Sequence, residues 1–203
     1  MKKNLLLSVT LASVLVLRGQ VKDVELTLQP TYTHQVYFQF GTDNQVSIPA
    51  ATWDIAFLRI SPYAFATRVN DSRIRVFQVA NSASQWNLIY IANEASWTEL
   101  YNSETVWNKG AFDNGSATYG WGEYNSNTHH VVGSIVYVLK YTDNTYRKFM
   151  IDDFSSGYTC KYSTWDGSSW GADQTVIVSN SSGTERFNYY SLVDNQQVNS
   201  SIP

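Results

Sequence analysis

Hydrophobic and polar residues alternate with a period of two over much of this chain, and turn residues interrupt the alternation at short intervals. Val36, Phe38 and Phe40 form one face of such a run, Tyr37 and Gln39 form the other, and a Gly-Thr-Asp-Asn turn follows. Alternation bounded by turns is typical of antiparallel β structure. The pattern therefore predicts an all-β protein.

The turn residues divide the chain into strands that we predict at 22–28, 34–40, 45–48, 52–58, 73–79, 86–91, 134–142, 145–152, 157–164, 173–179 and 186–192. The polar run 141–145 separates two apolar strands, and Asp166-Gly167 separates two later ones, so each indicates a hairpin. The run 135–139 is apolar on both faces, which predicts a central strand. Together these patterns predict a single-domain antiparallel β-sandwich.

One short run, with the sequence WDIAF, predicts a strand with two distinct faces. By period-two counting, Trp53, Ile55 and Phe57 share one face. We expect these three side chains to be buried. Asp54 and Ala56 are expected to lie on the opposite face.

The segment 92–133 departs from this regularity. It is rich in Asn, Gly and Ser and has weak periodicity, although 94–101 fits a helical turn. Its aromatic residues argue against disorder, which favours aromatic-poor sequences: they are Trp97, Trp107, Phe112, Tyr119, Trp121 and Tyr124. A long irregular segment inside a compact domain is commonly functional. We therefore predict a long, irregular, aromatic-rich insertion that carries the site.

The chain has 203 residues, with 14 Lys and Arg against 17 Asp and Glu, and a formal net charge of −3. This balance gives no basic surface for nucleic acid, so no nucleic-acid partner is expected. Residues 1–20 combine a basic start with an apolar run at 5–17, which predicts a signal peptide. A membrane span needs about 20 apolar residues, and no run here is that long. The remaining 21–203 form one predicted domain without a transmembrane segment.

Several short motifs occur in an order that resembles the HmuY-like family. The matching patches are WDIAF at 53–57, WGEYN at 121–125, Thr128-His129, VYVLK at 136–140 and YRKFMI at 146–151. The family consists of β-rich surface lipoproteins of Bacteroides-type bacteria, and its characterised members bind haem. The resemblance implies an exported, non-enzymatic protein that binds haem or another tetrapyrrole and passes it to an outer-membrane receptor. It implies a location at the cell surface, at the outer membrane or in the medium.

Two departures from the family's pattern concern lipid attachment and haem ligation. Family members carry a lipid-attachment cysteine at the end of the signal segment, but Gln20 occupies the corresponding position. The haem-binding prototype takes iron ligands from two loops, one matching 119–128 and the other matching 86–109. The second of these regions contains no histidine here.

Haem iron takes axial ligands from His, Met, Cys or Tyr, and the histidines are His34, His129 and His130. By strand phase His34 faces the predicted core, so it is either a hydrogen-bonded histidine at the core rim or a ligand. His129 and His130 lie where a loop meets a strand, and rings on an extended backbone point to opposite faces. We therefore expect at most one of this pair to bind iron, the second axial position being open, water-filled or taken by tyrosine.

The resemblance and the aromatic segment together suggest a ligand pocket. Its candidate walls are Trp97, Trp107, Trp121 and Tyr124. The alternative interpretation is that the histidine pair is structural or solvent-exposed. The protein would then be a structural or interaction protein of the cell envelope that binds a partner or a glycan through 92–133.

Other chemical groups point to structure rather than catalysis. Cys160, the only cysteine, is predicted to be a buried thiol, and Asp152-Asp153 a solvated strand end. Trp165 and Trp170 are predicted to form a cross-strand pair, with sugar stacking as the alternative. Since the chain shows no Ser/His/Asp arrangement, phosphate loop or zinc spacing, we predict no enzyme and no metal beyond haem iron.

The first testable prediction concerns export. The basic start and short apolar run predict cleavage near residue 20, and the absence of cysteine there predicts that no lipid is attached. Mass spectrometry of the native protein should show an N-terminus near Gln20 and no acyl mass. Recovery of cytoplasmic protein with Met1 intact would contradict this prediction.

Overall fold

Antiparallel strands form the architecture of the protein, as the alternation predicts. The computed structural model describes residues 21–60, 64–179 and 186–198, so the predicted signal peptide at 1–20 lies outside the described residues. In chain order the strands are β1 (His34–Gln39), β2 (Asn44–Pro49), β3 (Ile55–Leu58), β4 (Thr67–Val69), β5 (Ile74–Ala80), β6 (Thr98–Leu100), β7 (Gly122–Asn125), β8 (His130–Gly133), β9 (Val136–Tyr141), β10 (Tyr146–Phe154), β11 (Gly157–Thr164), β12 (Gln174–Ser179), β13 (Phe187–Ser191) and β14 (Gln196–Val198). Short 3-10 helices lie at Pro30–Tyr32, Ala50–Thr52, Ala83–Leu88, Ile91–Ser96 and Phe112–Asn114.

The strands form two sheets and a separate hairpin. The larger sheet has eight strands in the order β12-β11-β10-β9-β5-β6, with β8 beside β10 and β7 beside β8. The smaller sheet has four strands in the order β14-β13-β3-β4, and β1 and β2 pair with each other. Ile55 and Phe57 of the smaller sheet pack in one core with Val76, Leu139 and Phe149 of the larger sheet. The predicted sandwich-like arrangement is therefore confirmed, with β9 central in the larger sheet.

Two predicted strands are absent, and several short strands were not predicted. Residues 22–28 form no strand, and the region 86–91 lies across two 3-10 helices. There Trp86 is buried, donates its indole N–H to Asp173 at 3.0 Å and lies 4.2 Å below the Lys148 ammonium. These side-chain contacts override the local strand propensity. Strands β4, β6, β7, β8 and β14 have only three or four residues each, too few for a period-two pattern to stand out.

The faces of the WDIAF run differ from the prediction. Trp53 precedes β3, and its side chain packs in a second cluster with Ala56 and Leu58, away from Ile55 and Phe57. Alternation therefore begins only at Ile55, the first residue of the strand. Both faces of β3 are buried.

Asp54, which was expected to lie opposite a buried face, is itself completely buried. Its carboxylate accepts hydrogen bonds from the N–H groups of Leu192 at 2.7 Å and Val193 at 3.2 Å. The guanidinium of Arg73 lies 3.5 Å from the same carboxylate. Burial raises the Asp54 pKa, and Arg73 and the two N–H groups oppose that rise. The carboxylate thus ties the entry of β3 to the end of β13.

The face of the β1–β2 hairpin that packs against the rest of the protein is the opposite of the one predicted. Phe40 is 89% exposed, whereas Tyr37 packs against the second cluster. Gln35, on the Tyr37 face, accepts a hydrogen bond from the Trp53 indole at 3.0 Å. His34 therefore does not face the core. It is half-buried, with its Nδ1 atom 3.1 Å from the Thr33 hydroxyl.

Two other sequence predictions on local packing, for Cys160 and for the Trp165/Trp170 pair, are confirmed. Cys160 is fully buried and unpaired, and burial raises its thiol pKa well above the ordinary value. Trp165 and Trp170 form a cross-strand bridge with ring centroids 5.2 Å apart. The turn between them contains Gly167 at φ +103°, a left-handed conformation that favours glycine.

The irregular part of the predicted insertion, 101–121, is held against β4 by side chains that replace a strand partner. Asn102 accepts from the Val69 N–H at 3.1 Å and donates to the Val69 carbonyl at 2.7 Å. The same amide oxygen accepts from the Ala111 N–H at 3.0 Å. One amide side chain therefore satisfies backbone groups on both the strand and the insertion.

Arg68 holds the next part of the insertion. It is only 8% exposed, and its guanidinium donates to the carbonyls of Ser103, Val106, Trp107 and Lys109 at 3.1–3.3 Å. The same guanidinium lies 4.4 Å from the centre of the Trp107 ring. A buried cation costs free energy unless it is well paired, and these contacts supply the pairing.

Asp113 completes the attachment. Its carboxylate accepts from the N–H of Gly110 at 2.7 Å and the N–H of Thr67 at 3.0 Å. The residue as a whole is half-buried, but its carboxyl oxygens face these backbone groups. Burial raises the pKa of Asp113 to about 7, although both N–H groups and the nearby Arg68 lower it.

We expect replacement of Trp53 by alanine to destabilise the fold strongly. Trp53 is 7% exposed, and its ring centroid lies 5.0 Å from that of Tyr189. Deleting a large buried aromatic costs about 3–5 kcal/mol of unfolding free energy, measurable by denaturant titration. The exposed Phe40→Ala serves as control and should change stability by less than about 0.5 kcal/mol. A Trp53→Ala effect as small as that of the control would contradict the packing described.

The raised pKa of Asp113 predicts a pH-dependent stability. Between the ordinary value of 3.8 and about 7, the folded state holds a proton that the unfolded chain releases. The contribution of Asp113 to stability is therefore fully present below pH 3.8, the ordinary pKa, and is lost as the pH rises to about 7, the pKa in the folded protein. Asn keeps the acceptor oxygen but not the titration. The difference in unfolding free energy between the original protein and Asp113→Asn should decrease from pH 4 to pH 7.

Asp143 provides the control for this pH series, because hydrogen bonds from Thr145 lower its carboxyl pKa below the ordinary value. Asp143→Asn should leave the slope of stability between pH 5 and pH 7 unchanged. An identical slope in the original protein and in Asp113→Asn would contradict the prediction.

Candidate functional site

The candidate site is a cavity of about 600 Å³ at the end of the larger sheet, where β7, β8 and β10 meet. Its lining residues are Phe65, Tyr119, Tyr124, Thr128, His129, His130, Val131, Phe154, Ser155 and Ser156. Small-molecule and cofactor sites commonly enclose about 300–1,000 Å³ and combine apolar walls with a few polar groups. Volume and lining both meet this description.

Both histidines of the predicted pair line this one cavity. The expectation that their rings point apart assumed an extended backbone, but His129 has a left-handed φ of 61°. Its N–H donates to the Asn125 carbonyl at 2.8 Å, closing the turn between β7 and β8. His130 is the first residue of β8 and pairs with Asn125. The turn therefore breaks the strand phase between the two histidines and allows both to reach the same cavity.

His129 is paired with a tyrosine of the preceding strand. The Tyr124 hydroxyl oxygen lies 2.7 Å from His129 Nδ1, and the two ring centroids are 6.2 Å apart. Tyr124, one of the predicted pocket residues, is 48% exposed and lines this cavity. Because Tyr124 and His129 flank one tight turn, their contact is local in sequence.

His130 is paired with a carboxylate that sequence reasoning missed. Its Nδ1 atom lies 3.0 Å from Asp153 Oδ1, and both side chains are about one third exposed, at 36% and 33%. Asp153 belongs to β10 and pairs with Val132 of β8, so it does not follow a strand end as predicted. Asp152, its neighbour, forms an ion pair with Lys161 at 3.2 Å.

An irregularity in β10 directs Asp153 toward the histidine. The register with β11 shifts between Ile151 and Asp153, and both Ile151 and Phe154 point into the core. A shift of this kind re-aims side chains and is common beside functional sites. Asp153 then shares a face with Val132, and therefore with His130 two residues earlier, as diagonal cross-strand neighbours.

Close contact between β8 and β10 requires a glycine. A Cβ atom on Gly133 would lie 1.7 Å from the Ile151 carbonyl oxygen. Any side chain at this position would force β8 away from β10. Gly133 thereby preserves the spacing across which His130 meets Asp153.

The apolar wall of the cavity is an aromatic cluster centred on Phe65. Its ring centroid lies 5.2 Å from Phe154, 5.7 Å from Tyr119 and 5.7 Å from Trp121. Trp121 is completely buried and so supports the wall from behind. Phe65, Tyr119 and Phe154 were not among the predicted pocket residues, since strand periodicity gives no signal for residues that meet only in the folded chain.

The structure does not bring the other two predicted wall residues to this cavity. Trp97 packs against Phe77 at 5.9 Å beside a different groove, which also contains Arg75 and Glu99. Trp107 lies under Arg68, next to Phe187. Trp107 thus lies where Arg68 holds the insertion, and Trp97 lies at the far edge of the larger sheet.

No known family model, curated protein or solved structure matches this chain. The described ranges contain no group of three or more His, Cys, Asp or Glu side chains able to hold a metal ion. Within the same part of the chain, no helix combines the length and apolar character needed to cross a membrane. The geometry of the cavity and the order of the short motifs are therefore the two observations that bear on function.

Proposed function

We propose that this is an exported, non-enzymatic protein of the cell envelope that binds haem or another tetrapyrrole. One observation carries the proposal: His129 and His130 both line a cavity of about 600 Å³ that also has aromatic walls. The order of the short motifs, which resembles the HmuY-like family, supports the same function. The basic and apolar pattern at 1–20 supports export.

The residues present fit the requirements of a tetrapyrrole. The macrocycle needs an apolar surface, and Phe65, Phe154 and Tyr119 offer one. The iron needs a nitrogen, sulfur or phenol ligand. Two histidines and two tyrosines, His129, His130, Tyr119 and Tyr124, are among the residues that line the cavity.

The proposal locates the ligand in a narrower region than the sequence did. Within 92–133, only 119–131 contributes to the cavity, together with Phe65 and residues 154–156. A ligand there would contact the β7–β8 hairpin and the end of β10. An outer-membrane receptor that receives the ligand would then approach this end of the larger sheet.

Haem titration followed by absorbance tests the proposal. The original protein should develop a Soret band at micromolar concentration. The double variant His129→Ala/His130→Ala should lose that band or shift it strongly, because it lacks both cavity histidines. Circular dichroism should show that the variant remains folded, since both side chains are partly exposed.

His34→Ala is the matched control. His34 is the third histidine of the chain, but it lies on the β1–β2 hairpin and does not line the cavity. It should retain the spectrum of the original protein. If the original protein gives no haem spectrum, the haem proposal fails, and an envelope protein that binds a partner or a glycan becomes the better interpretation.

A further inference from the structure

We infer that His130, rather than His129, is the histidine that binds iron, and that Asp153 is the residue that positions it. This inference rests on the proposed function and deepens it. It depends on three features: the chemistry of the two hydrogen bonds, the placement of the two histidines and the register of β8 with β10.

The partner of His130 determines which of its nitrogens can bind a metal. An ionised carboxylate only accepts hydrogen bonds, so at 3.0 Å the His130 Nδ1 atom must carry the proton and donate it to Asp153. In the neutral ring, Nε2 then holds the free electron pair. Because His130 lines the cavity, Nε2 is the nitrogen that remains for a ligand there.

The hydrogen-bond partner of His129 does not determine which of its two ring nitrogens carries the proton. A tyrosine hydroxyl both donates and accepts, so the 2.7 Å contact with Tyr124 is compatible with either tautomer of His129. When Tyr124 donates to Nδ1, the proton of the neutral ring lies on Nε2, and that nitrogen has no free pair. Binding iron through His129 would therefore require the ring to give up this tautomer.

The backbone also favours His130 over His129 as the iron ligand. His130 and Asp153 lie on two strands that pair directly, with Asp153 opposite Val132 and Phe154 opposite Val131. His129 belongs to the turn, at a left-handed φ of 61°. Ligands on rigid paired strands keep their geometry better than ligands on turns.

A carboxylate on the far nitrogen also changes the ligand itself. Partners of this kind orient the ring and raise the basicity of the nitrogen that binds metal, and their loss commonly weakens metal affinity about 10–100-fold. Asp153 thus has a role that a purely structural hydrogen bond would not have. The role can be tested with and without haem.

The test without haem measures the tautomer. Nitrogen chemical shifts of the His130 ring, recorded by NMR at about pH 8, where an ordinary histidine is neutral, should show Nδ1 protonated and Nε2 unprotonated. Asp153→Asn should keep this state, since its amide oxygen accepts the same hydrogen bond. Asp153→Leu should give a mixture of tautomers. A His130 ring protonated on Nε2 in the original protein would overturn the inference.

The test with haem compares single variants. His130→Ala should lose the Soret maximum of the original protein, and His129→Ala should retain it. Asp153→Leu should weaken haem binding about 10-fold or more. The haem affinity of Asp153→Asn should lie between that of Asp153→Leu and that of the original protein. Iron bound to Asp153→Asn should have a more positive reduction potential than iron bound to the original protein. Asp152→Asn and Asp152→Leu, which change the neighbouring carboxylate bound to Lys161, should behave like the original protein.

The outcomes separate the two proposals. If His129→Ala loses the haem spectrum and His130→Ala keeps it, the inference is wrong and the proposed function stands. Unchanged affinity and potential in both Asp153 variants would also overturn the inference. If the original protein binds no haem, the proposed function fails, and the assignment of His130 to iron fails with it.

Discussion

The structure depends on one strand, β10, that pairs along the same edge with two different partners. Its first half pairs with β9 at the centre of the larger sheet, and its second half pairs with β8 beside the cavity. The register shift at Ile151 and Asp153 lies between them and changes which side chains face the core. The same strand therefore contributes Phe149 to the core of the sandwich and Asp153 to the candidate site.

A second constraint keeps the irregular segment in place without a strand partner. Asn102, Arg68 and Asp113 satisfy backbone groups of β4 and of the insertion with side-chain atoms. Buried backbone groups need such partners because an unpaired one costs free energy comparable to a lost hydrogen bond. The insertion can therefore remain irregular and still pack closely enough to bring Tyr119 to the cavity wall.

Scaffold and site follow different rules in this protein. The scaffold requires alternating apolar and polar residues in its strands, short turns and a shared core. Many sequences could satisfy those requirements. The cavity instead relies on a few specific features: the left-handed turn residue His129, the close approach at Gly133 and the carboxylate beside His130. A functional conclusion consequently rests on these residues more than on the sheet order.

The sequence alone determined the all-β class, most of the long strands and the central position of β9, because period-two alternation of long strands reports burial directly. It also singled out His129, His130 and Tyr124, whose closeness follows from a tight turn. The tertiary structure alone decided that Trp97 and Trp107 lie elsewhere, that Trp53 packs apart from Ile55 and that Phe65 and Asp153 join the site. These residues are far apart in the chain or follow a register shift, and neither pairing register nor strand irregularity can be read from local alternation.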